Sequence, residues 1–202
     1  IAASAFVYCE ALETVDLSGI ATIGEQAFRY SGLKTLNIPN NIVDMGTYAF
    51  ADNKSLTSVY YNSSKPDDTS KTNYYLFYIT GDEQTAKLTI TIGPDITRIP
   101  RTAFRHNNNL TKLVVEGPFI LRNYPLIDCK YLETIEFHST DDAQISAMYC
   151  GTLWDNNSGG NLGANASVRN IVVPKGKKTQ YAANATIGKI VSEAKFTIVE
   201  AQ

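Results

Sequence analysis

The sequence predicts an α/β solenoid dominated by β structure. It has a parallel sheet on a concave side, short helical or irregular segments on a convex side, and one β-hairpin insertion. Three observations predict it. Phe6, Phe28 and Phe50 stand 22 residues apart, each preceded by Ala (Ala5, Ala27, Ala49), and the pair returns at Ala103-Phe104. Apolar residues recur at the same offsets behind each Phe, which is the mark of an internal repeat. Each unit ends in a run that alternates apolar and polar residues, as a strand with one buried face does. So short a unit leaves no room for a long helix. It cannot bury its apolar side alone, but stacked copies can, with strands about 4.8 Å apart.

The units follow one another in order. The first gives Ile1, Ala5-Phe6, Leu12, Val15 and Leu17. The second gives Ile20, Ile23-Gly24, Ala27-Phe28, Leu33, Leu36 and Ile38-Pro39, and the third Ile42, Met45-Gly46, Ala49-Phe50, Leu56, Val59 and Tyr61. Ile1 stands five residues before Phe6 as Ile23 does before Phe28, so the chain begins in mid-unit. That predicts a natural N-terminus upstream of Ile1. From Phe50 to Phe104 the spacing is 54 residues, which predicts an insertion. It opens with the loop composition Asn62-Ser-Ser-Lys-Pro-Asp-Asp-Thr-Ser. Tyr74–Thr80, Gly81–Gln84 and Ala86–Ile92 then read as strand, turn and strand, the second strand doubling as a rung of the solenoid. Regular units return with Ile96, Ile99-Pro100, Ala103-Phe104, Leu110, Leu113 and Val115. A degenerate unit follows with Leu126, Cys129, Leu132, Ile135 and Phe137. From about Asp141 to Ser167 the pattern slackens around Asn156-Asn-Ser-Gly-Gly. Val168, Ile171 and Val173-Pro174 resume it, and a short helix from about Lys178 with a final strand over Ala194–Glu200 reads as a cap. The expectation is one domain, 1–202. It comprises regular repeats over 1–61, the insertion over 62–92, repeats over 93–137, and an irregular repeat with its cap over 138–202.

Composition narrows the function classes. With 202 residues, 44% hydrophobic and 19% charged, the chain can bury a substantial core. Its formal net charge is −2 and it carries no basic stripe, which argues against nucleic acid. No apolar stretch approaches the roughly 20 residues of a membrane span. Three cysteines make no disulfide framework; Cys9 and Cys129 fall at one position of the repeat and read as small core residues. No ligand spacing for a metal occurs, and no cofactor is expected.

The motifs Ile23-Gly24…Ala27-Phe28 and Met45-Gly46…Ala49-Phe50, with Leu33-x-x-Leu36-x-Ile38-Pro39, resemble the BspA-type leucine-rich repeat family of bacterial and some protist surface and secreted proteins. The ending Ile171-Val-Val-Pro-Lys-Gly…Tyr181…Phe196-Thr-Ile-Val-Glu200 is similar to that family's C-terminal segment. The resemblance implies a bacterial protein at the cell surface or outside the cell, with adhesion or binding of host proteins in some members. It brings no catalytic motif.

Aligned strands leave three outward columns. The first holds Thr14, Thr35, Ser58, Thr89, Lys112, Thr134 and Asn170, the second Asp16, Asn37, Tyr60, Thr91, Val114, Glu136 and Val172. The third holds Ser18, Pro39, Asn62, Gly93, Glu116, His138 and Pro174. A hydroxyl-rich face with Tyr60 and Val114 at its centre suits a protein or glycan partner, although Thr and Ser are also simply good outward strand residues. Candidate contacts are Asp16, Thr35, Asn37, Tyr60, Thr91, Lys112, Val114, Thr134 and Glu136, together with Trp154 beside the Gly/Asn loop. Tyr60, Tyr61, Tyr74, Tyr75 and Tyr78 make either a sugar-stacking platform or core and hairpin packing, with Tyr61 at a core position. His106 and His138 fall on different sides of the coil, so no Ser-His-Asp site is expected. Asp67-Asp68 and Asp141-Asp142 lack the loop pattern of a calcium site. Asn62, Asn109, Asn165 and Asn184 head N-x-S/T sequences. The leading expectation is a non-catalytic module that binds a host, neighbouring-cell or matrix protein through its concave face. The alternatives are a spacer that projects another domain and a glycan-binding module using the Tyr-rich insert.

Overall fold

The computed structural model describes residues 1–63, 74–81, 83–96, 98–117, 120–121, 125–150 and 162–202. In chain order the elements are β1 (Thr22–Ile23), β2 (Thr35–Ile38), β3 (Asp44–Met45), β4 (Ser58–Tyr61), β5 (Leu88–Ile92), β6 (Arg98–Ile99), β7 (Leu110–Val115) and β8 (Ile120–Leu121). They continue with β9 (Thr134–Phe137), α1 (Asp142–Ala147), β10 (Tyr149–Cys150), β11 (Asn170–Val173), α2 (Lys178–Ala183), α3 (Ala185–Ala194) and β12 (Thr197–Glu200).

One parallel sheet of seven strands runs β12-β11-β9-β7-β5-β4-β2, so spatial order follows chain order, as stacked coils require. Its register places Leu36, Val59, Ile90, Leu113, Ile135 and Ile171 in one inward row. Two-residue strands form further parallel ladders, β1 with β3 and β6-β8-β10, so coils also pair beside the main sheet. The β-dominated solenoid expected from the sequence is what the chain forms.

On the convex side the coil turns without a helix. Each turn donates forward to the next coil: Ser4 N to Glu25 O (2.9 Å), Phe6 N to Ala27 O (2.8 Å) and Tyr8 N to Arg29 O (3.0 Å), and likewise Phe28 N to Ala49 O (2.8 Å). Residues two before and two after the ladder Phe have left-handed backbone although none is glycine. Ser4, Gln26, Tyr48, Tyr75 and Thr102 stand before, and Tyr8, Tyr30, Asp52 and His106 after. The backbone N–H groups of most of these left-handed residues donate to the next coil as that of the ladder Phe does, and those bonds stabilise a backbone that isolated residues seldom adopt. The rings inside form one stack. Phe6–Phe28, Phe28–Phe50, Phe50–Phe77 and Phe77–Phe104 centroids lie 5.1, 5.4, 5.7 and 5.7 Å apart. Ala27, Ala49 and Ala103 are fully buried beside it. Gly32 and Gly46 mark close approaches of coils, since a Cβ there would lie 1.9 Å from the carbonyl O of Glu10 and 2.2 Å from the backbone N of Glu25 respectively.

Two expectations need correction. The hairpin expected within 62–92 does not form from the described residues. Tyr74–Gly81 contain no strand, and β5 pairs in parallel with β4 and β7. Tyr74–Thr80 is instead a convex turn. Phe50 N donates to Leu76 O (3.0 Å), Phe77 N donates to Ala103 O (3.0 Å), and Phe77 fills the ladder site between Phe50 and Phe104. The interval is therefore a long complete unit with Leu76-Phe77 in the Ala-Phe place. The first unit's strand, expected around Thr14–Leu17, is not paired into the sheet. Beside it, Lys34 N donates to Glu13 O (2.9 Å), and β2 is the edge strand. The loop at 64–73 lies outside the described residues, as does the Gly-rich loop around Gly159.

At the C-terminal end α2 begins at Lys178, a second helix, α3, follows where only one was expected, and β12 pairs in parallel with β11. Asn184 caps α3 by accepting from Thr186 N (2.9 Å) and Ile187 N (3.1 Å).

If Phe77 is a ladder ring, Phe77→Ala costs about 3–5 kcal/mol, as Phe50→Ala does. Chemical denaturation of the two variants checks this. A loss below about 1 kcal/mol for Phe77→Ala alone places Phe77 outside the stack.

Candidate functional site

The concave face is built by the outward residues of the main sheet, and the register assembles the expected columns. Thr35, Ser58, Thr89, Lys112, Thr134 and Asn170 lie side by side, as do Asn37, Tyr60, Thr91, Val114, Glu136 and Val172. Thr35, Asn37 and Ser58 are exposed, while Tyr60, Thr91, Lys112, Thr134 and Glu136 are half-buried. Val114 is corrected as a contact residue, for only 8% of it is exposed. It lies between Thr91 and Glu136, and Lys112 crosses diagonally to Glu136 beside it, which leaves a partner almost nothing of its side chain. Asp16 lies beyond the edge strand, where its carboxylate accepts from Ser18 N (2.9 Å). That bond holds its acid below the ordinary range. Trp154 lies outside the described residues.

Charge on this face is paired within it. Glu136 accepts from Lys112 Nζ (2.6 Å) and faces His138 Nε2 (2.8 Å). Burial works to raise the Glu136 carboxyl, but Lys112 and His138 outweigh it and hold it below the usual carboxylate range. Tyr60 donates its hydroxyl to Glu116 Oε2 (3.2 Å), reaching past the β5 rung to the residue after β7. Gly93 makes this reach fit, because a Cβ there would lie 2.8 Å from Tyr60 Oη and 2.3 Å from Asn62 Oδ1. Burial, with the Glu116 charge second, raises the Tyr60 phenol above its ordinary value, so it stays a neutral donor. Along the lip of the sheet, Asp95 Oδ2 accepts from Asn40 Nδ2 (3.0 Å) and Asn62 Nδ2 (2.9 Å), and Asn62 Oδ1 accepts from Asp95 N (3.1 Å). The sequence places Asn62 and Glu116 in the third column. Asn40 and Asp95 have no such signal, since they sit in turns after strands whose meeting depends on the stack.

The Tyr-rich segment resolves toward packing. Tyr61 and Tyr74 are buried in the core. Tyr75 stacks on Tyr48 (5.2 Å) and Tyr78 meets both edge-on, with Arg29 over the Tyr48 ring (5.1 Å). These rings spend their faces on one another, on the convex side. His106 packs against Tyr78 there (5.4 Å), while His138 stands at the concave lip, so the histidines are apart. Cys129 is buried, donates to Phe104 O (3.1 Å), and has its thiol pushed up to about 12 by burial. Among the described residues no group of His, Cys, Asp and Glu could hold a metal, and no helix is long and apolar enough to cross a membrane.

Comparison with known proteins bears on fold and family. The profile of the BspA type leucine rich repeat region matches in six copies, over residues 1–111 and 66–148. The solved structure of a leucine-rich repeat protein from Bacteroides ovatus ATCC 8483 superposes on 100% of this chain and 51% of its own, with 16% identity and a TM-score of 0.53. At that identity the likeness establishes the fold. The chain spans about half the length of that protein. No curated protein matches the chain in sequence.

Lys112→Met removes one support of the Glu136 anion. Its folded-state pKa is depressed, so the pair's contribution of about 0.5 kcal/mol is present above the unfolded glutamate value near 4.3 and is lost as pH falls through the folded one. Denaturation midpoints of wild type and variant should therefore differ at pH 7 and converge in acid. A gap unchanged down to acid pH shows that the pair contributes nothing.

Proposed function

The chain belongs to the BspA-type leucine-rich repeat family, and from that premise we propose that it is a non-catalytic binding module of a secreted or cell-surface protein. Its concave sheet engages a protein of a host, a neighbouring cell or a matrix. Family and fold alone give a repeat module of a kind commonly used in protein interaction. The observation that carries the finer reading is the outward register of the main sheet. It lines Thr35, Ser58, Thr89 and Thr134 beside Asn37, Tyr60 and Thr91 on one rigid face. Each of these side chains offers hydrogen bonds without net charge. Tyr60 adds a large amphipathic ring held in place by Glu116, the type of residue that carries binding energy at interfaces. Lys112 and Glu136 present a paired charge at the far end of the same face.

A specific observation also favours a spacer role. The charges Lys112, Glu136, Glu116 and Asp95 already find partners within the face, as a surface that binds nothing would arrange them. The glycan reading loses its platform, because the faces of Tyr48 and Tyr75 are spent on each other.

A binding assay on a panel of immobilised matrix proteins separates these readings. Wild type should bind at least one of them, and Tyr60→Ala with Glu136→Ala should weaken that binding by roughly 10- to 100-fold while lowering the melting temperature by only about 2–4 °C. Binding undiminished in the double variant moves the partner off the concave face. No binding by wild type to any of them supports the spacer.

A further inference from the structure

We propose that this chain reaches its place of work without passing through a compartment that attaches sugars at N-x-S/T sites, because three of its own such sites are locked inside the fold. The sites are Asn53-Lys-Ser55, Asn109-Leu-Thr111 and Asn184-Ala-Thr186. Asn53 is 1% exposed, and its Nδ2 donates to the carbonyls of Phe28 (2.7 Å), Phe50 (3.0 Å) and Ala51 (3.3 Å). Asn109 is equally buried, and its Nδ2 donates to Lys54 O (3.1 Å) and Thr85 Oγ1 (3.0 Å). Asn184 is 8% exposed, and its Nδ2 donates to Ile145 O (2.9 Å) and Met148 O (3.0 Å) while its Oδ1 caps α3.

N-glycosylation acts on these same Nδ2 atoms. A bond forms between Nδ2 and the anomeric carbon of an oligosaccharide, and the glycosyl–oxygen bond to a lipid pyrophosphate breaks. The pyrophosphate leaves with the electron pair, and one Nδ2 proton passes to the transferring enzyme. The product keeps one N–H where the folded protein uses two or more bonds, and it carries a hydrophilic oligosaccharide that needs open solvent. At Asn53 the amide lies between convex turns, and at Asn109 between the turn before β5 and the turn before β7. The transfer works on extended, unfolded acceptors, so burial in the native state does not protect the nascent chain. Modification and folding are therefore alternatives, and an unpaired buried amide adds to the cost.

Asn165-Ala-Ser167 is the contrast. Asn165 is exposed, and among the described residues its bond is that of its backbone N to Lys130 O (2.8 Å). A sugar there is compatible with the fold, so Asn165 is an acceptor this chain tolerates. The inference stands whether or not the concave face binds a partner.

The test is secretion from yeast behind a cleavable signal, in three arms. These are wild type, wild type with synthesis of the lipid-linked oligosaccharide inhibited, and the variant Ser55→Ala/Thr111→Val/Thr186→Val, which keeps all three asparagines. The variant made in a bacterial cytoplasm must first melt as wild type made there does; where it does not, the inhibitor arm alone decides. Wild type should carry sugar at Asn53, Asn109 or Asn184 by mass spectrometry, and its yield of folded secreted protein should fall roughly tenfold below the other arms. The variant should carry sugar at Asn165. Folded wild type secreted at the same yield as the other arms overturns the proposal, whether modified or not, as does a failure of the inhibitor to rescue secretion.

Discussion

Every coil of this protein must lie one hydrogen bond from the next on several sides at once, and the rest of the structure follows from that spacing. The main sheet pairs coils on the concave side. Gly46 N to Ile23 O (2.8 Å) ties them beside it, and Phe28 N to Ala49 O (2.8 Å) ties them on the convex side. With neighbours that near, rings of the regular units lie flat on one another, Phe6 and Phe28 within 6° of parallel, and the longer unit lets Phe77 tilt 31° against Phe104. In the 22-residue units the residue beside the ring is the small Ala27 or Ala49, the longer unit has room for Leu76 there, and a Cβ at Gly32 or Gly46 would collide with the preceding coil. The buried amides obey the same rule. Asn53 spans from its own coil to Phe28 O, and Asn107 reaches Phe77 O (2.7 Å), each bonding a carbonyl that a turn leaves behind.

This constraint explains which parts of the fold are legible in the sequence. Where a unit obeys the spacing with the same residues, as around Phe28 and Phe50, the period of 22 can be counted directly. Between Phe50 and Phe104 the rule holds but the residues change. Leu76 replaces the Ala, the unit lengthens, and Tyr74–Thr80 acquires the apolar density of a strand. Local pattern favours a hairpin there, while the stack requires a turn, and the stack wins because Phe77 has rings on both sides. The midpoint supplies the missed signal, since Phe77 stands 27 residues from Phe50 and 27 from Phe104.

The candidate site divides in the same way. Which residues face outward is legible because a strand with one buried face has period two, so Thr35, Ser58 and Thr89 fall in line. How much of each is offered to a partner is not, because that depends on what the neighbouring rungs carry. Val114 points outward and is covered; Tyr60 points outward and is tied down to Glu116. Pairing within the face also sets its energetics. A partner that meets Lys112 or Glu136 must replace a bond already made, so those charges contribute orientation more than affinity. The hydroxyls of Thr35 and Ser58, the amide of Asn37 and the ring of Tyr60 are groups that gain from contact.

The convex bonds add a direction that the sheet alone lacks. Turns donate forward, from Ser4, Phe6 and Tyr8 to Glu25, Ala27 and Arg29, while the flanking segments donate backward, from Gly24 N to Ile1 O and from Lys34 N to Glu13 O. Turn a coil over and donors meet donors on the convex side and acceptors meet acceptors beside it. Coils of this kind therefore stack only head to tail. The left-handed residues Tyr8, Tyr30, Asp52 and His106 belong to this pattern, each donating its N–H to the next coil. The property lies wholly in backbone geometry, so it survives the loss of Ala, the change of unit length and every substitution on the concave face. A solenoid whose order is held from behind in this way leaves its outward strand residues free to be chosen for a partner.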